Sequence, residues 1–134
     1  MPHTVDLAKL ILRLNLGILM LLHGIAKLMA GPGGILAMVA KTGLPPALGY
    51  LVYLGEVLAP LLVIVGLWTR PAALVMAINM VVAVLLVHMG QLTELTRSGG
   101  WALELQAFYF VSALTVMLLG AGKLSLGGNG SRLN

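Results

Sequence analysis

The chain contains no cysteine, and charged residues make up only 9% of it. Without a thiol there is no disulfide, no thiolate zinc or iron–sulfur site and no CxxC redox cycle. Aromatic residues are also scarce, at 5%, so no aromatic-interleaved basic stripe exists to bind nucleic acid. The eight Lys and Arg are scattered singly along the chain. Their excess over four acids reads as membrane topology and excludes a nucleic-acid surface. Soluble domains carry roughly a quarter charged residues. A body of 134 residues that is 60% hydrophobic cannot hide its apolar surface in one small core. Its solvent is therefore a bilayer, and its length allows one domain.

What is present is a set of apolar runs, at 7–29, 47–68, 72–89 and 101–122, each near the ~20 residues a helix needs to cross hydrocarbon. Asp6 sits where an N-cap belongs. Gly31-Pro32-Gly33-Gly34 ends the first run, because Gly and Pro punctuate helices. The short apolar piece before Thr42-Gly43-Leu44-Pro45-Pro46 predicts a small interfacial helix. Thr69-Arg70-Pro71 predicts a tight turn with Pro71 at the first helical position. The segment 90–100 reads as a polar, flexible loop. The N-terminal run is too long for a signal peptide and carries His23 and Lys27, so it reads as a retained span. The expectation is an all-α, integral membrane four-helix bundle with a short interfacial helix between the first two spans. It forms a single domain, 1–126, followed by a flexible Gly/Ser/Asn tail, 127–134. Four spans place both termini on one side, with Lys9, Arg13, Arg70, Lys123 and Arg132. Lys27, Lys41 and Arg97 lie on the other. That bias points both termini to the cytoplasm.

One carboxylate, Glu56, lies inside the apolar stretch Tyr50 to Trp68. A charge at that depth costs about 2.5–3.5 kcal/mol on insertion scales, so it needs a partner or a task. Pro60, four residues on, lacks the N–H that would bond the Glu56 carbonyl. Alternating helix directions then bring His23, Lys27, Glu56, His88, Glu104 and Gln106 into one half of the bundle. At about 100° per residue, Arg13, Gly17, Met20, Gly24 and Lys27 form one stripe. Gly49, Glu56, Pro60 and Val63 share a face of the second span, and Glu104, Phe108, Val111 and Thr115 a face of the fourth. Asn79 and His88 point to opposite sides of a straight third helix.

Each polar residue also has a plain structural reading. Glu56 can neutralise Lys27 or Arg13 and lock packing. Lys27 can snorkel to headgroups, and His88 can sit at the interface. His23 needs only one hydrogen bond, and Glu104 suits a helix N-terminus. Tyr109 can bond across helices. Two His and two Glu could bind iron or zinc, and His23 with His88 could ligate haem. No His pair or Glu-x-x-His spacing occurs, so no metal is expected.

His23-Gly24-Ile25-Ala26-Lys27-Leu28, Gly55-Glu56, Gly66-Leu67-Trp68-Thr69-Arg70, His88, Glu104 and Gly120-Ala121-Gly122-Lys123-Leu124-Ser125-Leu126 together resemble the DoxX family of small four-helix membrane proteins. The family commonly closes its last motif with Ser-Leu-Asp, whereas Gly127 follows Leu126 here. The resemblance implies a multi-pass protein of the prokaryotic inner membrane, and a subunit or partner of a quinone-linked oxidoreductase. On that reading His23 and Glu56 exchange protons with quinone oxygens and Lys27 stabilises negative charge on the reduced form. His88, Glu104 and Tyr109 complete the binding site. The implied partners are the lipid bilayer, oxidoreductase proteins and a second copy of the chain. Two alternatives stand beside it: a non-catalytic membrane scaffold or assembly partner, and a small-solute or proton-coupled carrier with Glu56 at midplane depth.

Overall fold

The computed structural model describes residues 2–134 and is all-helical. Its helices are α1 Pro2–Ala30, α2 Gly33–Lys41, α3 Pro46–Val65, α4 Thr69–Gln91 and α5 Glu104–Leu119. Among the described residues there is no strand, only one isolated bridge between Leu95 and Trp101. Two helices, α3 and α4, are long and apolar enough to cross a membrane. Large apolar side chains such as Met29, Phe108 and Leu118 stand exposed all over the molecule. A water-soluble monomer rarely shows so much apolar surface.

The four longer helices pack in a cycle. α1 lies against α3 and α5, and α4 lies against α3 and α5. The core they enclose is built from Leu16, Met20, Val63, Met76, Met80 and Val116, with Ala72, Ala73, Ala77 and Ala113 between them. Small residues matter here because lipid is as apolar as a leucine, so helices associate through close packing and not through escape from water. Gly24 is the extreme case: a Cβ there would overlap the backbone carbonyl of Glu56. α2 stands apart and rests on the first turn of α3.

Several boundaries differ from those expected, each for a local reason. α3 stops at Val65 because Gly66 turns left-handed, φ 76°, and both Gly66 and Leu67 donate their N–H to Leu62. Trp68 is also left-handed, φ 45°. α4 then begins at Thr69, two residues before Pro71. Pro71 sits in the first turn, where its missing N–H is not needed. The start is capped from afar: the Thr69 N–H and hydroxyl donate to Asn134 Oδ1 at 3.3 and 2.9 Å. α5 begins at Glu104 and not at Trp101. The preceding loop is hydrogen-bonded, with Trp101 Nε1 donating to the Leu92 carbonyl at 2.8 Å.

Residues 127–134 fold back onto the helix ends, with Asn134 buried. Arg70 N–H donates to the Leu133 carbonyl at 3.0 Å. Arg70 Nη1 donates to the Met117 and Leu118 carbonyls at 3.0 and 2.9 Å, filling positions that a helix C-terminus leaves open. Arg13, buried, donates from Nη2 to the Leu124 carbonyl at 2.7 Å. Asp6 Oδ1 accepts the Lys123 N–H at 3.1 Å. These contacts form a polar knot at one end of the molecule, made of side chains bonded to backbone.

Candidate polar cavity

The other half of the helix cycle holds a cavity of about 220 Å³. Its polar lining comes from four helices: His23 and Lys27 of α1, Glu56 of α3, His88 of α4, and Gln106 and Tyr109 of α5. Met20, Met80, Ala83 and Leu105 complete the wall. Glu56 is 3% exposed, and Lys27 Nζ lies 2.5 Å from its Oε2. That oxygen makes no aligned hydrogen bond, so the contact is an ion pair. Lys27, and not Arg13, is therefore the partner. Arg13 is committed to the knot at the far end.

The backbone around Glu56 is unusual in the way Pro60 leads one to expect. Residues Leu54–Leu58 are wound as a π-helix, and Ala59 N–H reaches back five residues to the Leu54 carbonyl. A second π segment covers Val84–His88. Each π turn inserts a residue into the helical register, and such bulges are frequent at functional sites. Here one carries Glu56 and the other ends on His88. The second also answers the register problem on α4. Asn79 and His88 remain on different sides, and His88 joins Met80 and Ala83 on the cavity wall.

The aromatic and amide groups are arranged around the pair. The His23 ring stands edge-on to Tyr109, centroids 5.7 Å apart, within the range of favourable aromatic contact. Tyr109 is buried. His88 Nδ1 lies 2.9 Å from Gln91 Oε1 and must donate, since a carbonyl oxygen only accepts. Its Nε2 is then an acceptor for the Gln106 amide, 3.4 Å away. Gln106 Oε1 is buried without a partner.

Glu104 does not reach the cavity. It is exposed in the first turn of α5, and its carboxylate lies over Gly100. The helix N-terminus is favourable for it there. The face that Glu104 shares with Phe108 and Val111 points outward, and Phe108 is 72% exposed. The residues of α5 on the cavity wall are Leu105, Gln106 and Tyr109. No group of three or more His, Asp or Glu converges as a metal site among the described residues.

Fold and surface define the class: an all-helical protein with two helices long and apolar enough to cross a membrane. The family model DoxX matches residues 8–89, more than half of the chain, and the chain belongs to the DoxX family. The match takes in α1 to nearly the end of α4, hence His23, Lys27, Glu56 and His88. It leaves α5, with Gln106 and Tyr109, outside. No curated protein and no solved structure matches the chain.

Proposed function

We propose that the chain is a four-helix bundle of the prokaryotic inner membrane, with both termini cytoplasmic, that works as a subunit or partner of a quinone-linked oxidoreductase. The observation that carries this reading is the meeting of the Lys27–Glu56 pair, two imidazoles, a phenol and an amide in one cavity within an apolar body. The cavity suits a quinone ring. An aliphatic cavity of about 150 Å³ already accepts benzene, and this one is larger and polar. A bound quinone supplies two carbonyl oxygens that take up electrons and protons together.

Glu56 and His23 are the groups placed to give and take those protons. Lys27 holds positive charge where negative charge develops. The Tyr109 hydroxyl makes no hydrogen bond among the described residues, which leaves it to orient a ligand oxygen. Gln106 extends the polar wall, and His88 holds its amide in place. Carboxylate and imidazole suit the task because both side-chain types can take up and release a proton at a positioned atom. Electrons come from a partner protein or a bound cofactor, since the chain has no thiol.

The test is reconstitution of purified protein in vesicles with a short-chain quinone. Saturable binding is expected, and its loss in Glu56→Gln. Equal binding by wild type and variant, or none by either, would sink the quinone assignment. A scaffold role is the second reading, favoured by the ion pair that already neutralises Glu56. It predicts that Glu56→Gln loosens the fold while surviving protein keeps its partners.

A further inference from the structure

The polar cavity is not the largest space in the molecule. A second cavity of about 400 Å³ lies on the opposite face of the α3–α4 pair. The wall between the two is a single layer of helix. Glu56, Met80 and Ala83 face the polar side, and their sequence neighbours Gly55, Asn79 and Val82 face the other. Apart from Asn79, every residue lining this second space is apolar, and most are leucine or valine.

Its shape follows the bilayer. The α4 residues along it run from Val75 to Leu86, a length of about 16 Å at about 1.5 Å per residue. That matches one leaflet, about half of a hydrocarbon core of about 30 Å. Val39 of α2 and Leu44 of the turn after it also line the cavity. Val39 is the buried residue of α2. Lys41, exposed, closes the same helix, two residues after Val39 and three before Leu44.

We infer that this cavity is a binding site for one acyl chain of an anionic phospholipid, taken from the leaflet on the α2 side, with the headgroup phosphate drawn to Lys41. Three observations select that occupant. The lining offers almost nothing polar to hold a polar ligand. The length suits a chain that enters at the interface and ends near the midplane. Lys41, which lies in the chain between the lining residues Val39 and Leu44, is exposed and positive, and anionic headgroups are attracted to Lys at a membrane surface. The occupant also packs against Gly55 and Asn79, the direct neighbours of Glu56 and Met80, so it braces the wall of the polar cavity from behind. The inference rests on the membrane-embedded reading and not on any quinone.

The experiment is native mass spectrometry of the full chain. The protein is extracted from vesicles of equal parts dioleoyl phosphatidylglycerol and dioleoyl phosphatidylcholine. A single phospholipid retained per chain, enriched in phosphatidylglycerol, is expected. Val82→Trp fills the slot and should abolish retention. Val81→Trp, one residue along and lining a different apolar groove with Phe110, should not. Lys41→Glu should lower the preference for phosphatidylglycerol about fivefold. Retention by Val82→Trp at the wild-type level, equal loss from Val81→Trp, or an unchanged headgroup preference in Lys41→Glu would overturn the site. Where circular dichroism finds Val82→Trp unfolded, Ile78→Phe fills the same slot with a smaller ring and must give the same loss. A chain that stays in solution without detergent would instead fail the membrane reading, which is a separate result.

Discussion

The two polar regions of this molecule differ in what their side chains meet. In the knot at the ends of α3 and α5, Arg13, Arg70, Asp6 and Asn134 bond mostly to backbone groups, while Arg13 Nε and Nη1 and Arg70 Nε have no partner among the described residues. The side chains seal chain ends that would otherwise expose bare carbonyls and N–H groups to lipid. In the cavity, side chains meet side chains. The Lys27–Glu56 pair has one half-exposed member, and Gln106 Oε1 has no partner among the described residues. Polar groups that close on the backbone hold a fold together. Unpartnered polar atoms occur in both regions, and only those around the void have room beside them for a ligand.

The comparison can be broken from either side, and the largest effects come from backbone contacts. Gly24→Val should cost about 3 kcal/mol, because its Cβ would overlap the Glu56 carbonyl and push α1 off α3. Denaturant unfolding in detergent measures this, and a wild-type midpoint would mean that α1 and α3 are not so close. Gly66→Ala acts on the knot. Its left-handed backbone disfavours a side chain by about 1–2 kcal/mol, and the new methyl would press on Arg13 and Ser125. Thermal melting should fall, while ligand binding in the cavity stays intact in folded protein.

Smaller changes separate the regions more cleanly. Asn134→Ala removes the distant cap of α4 and should cost about 1 kcal/mol, as loss of a helix N-cap does. Hydrogen exchange should accelerate at Thr69 and Arg70 and remain unchanged at Glu56. If exchange rises equally in both places, the two regions are one cooperative unit. Tyr109→Phe is the mildest. With no bond inside the chain to lose, its stability should move by less than about 0.5 kcal/mol. Its affinity for a short-chain quinone should nonetheless drop about tenfold, the worth of one good hydrogen bond. Unchanged affinity would remove Tyr109 from the site.

The legible parts of this fold are those where polar residues sit in contrast with lipid. The stripe Arg13, Gly17, Met20, Gly24 and Lys27 could be drawn from spacing alone, and all but Lys27 are buried. The face Gly49, Glu56, Pro60 and Val63 is buried as well. α5 was harder to read because it is apolar on every side. Lipid imposes no contrast between an inward and an outward leucine, so Glu104 looked like the guide and Gln106 was the better one. The contacts of residues 127–134 were hard to read for a different reason. Gly, Ser and Asn describe a chain that does not fold by itself, and they carry no mark of the Arg13 and Arg70 side chains that bind it.

Chemistry carried within a few residues was set by the sequence alone: where each apolar run begins and breaks, that Glu56 lies deep, and that Pro60 disturbs the winding beside it. These follow from side-chain transfer energies and from bonds a proline cannot make, which need no knowledge of the rest of the chain. Tertiary structure alone chose Lys27 over Arg13 as the partner of Glu56, turned His88 toward the cavity and Glu104 away, and left an apolar slot behind Gly55. Those outcomes depend on how closely helices approach and in which register, and that is decided by packing between residues far apart in the chain.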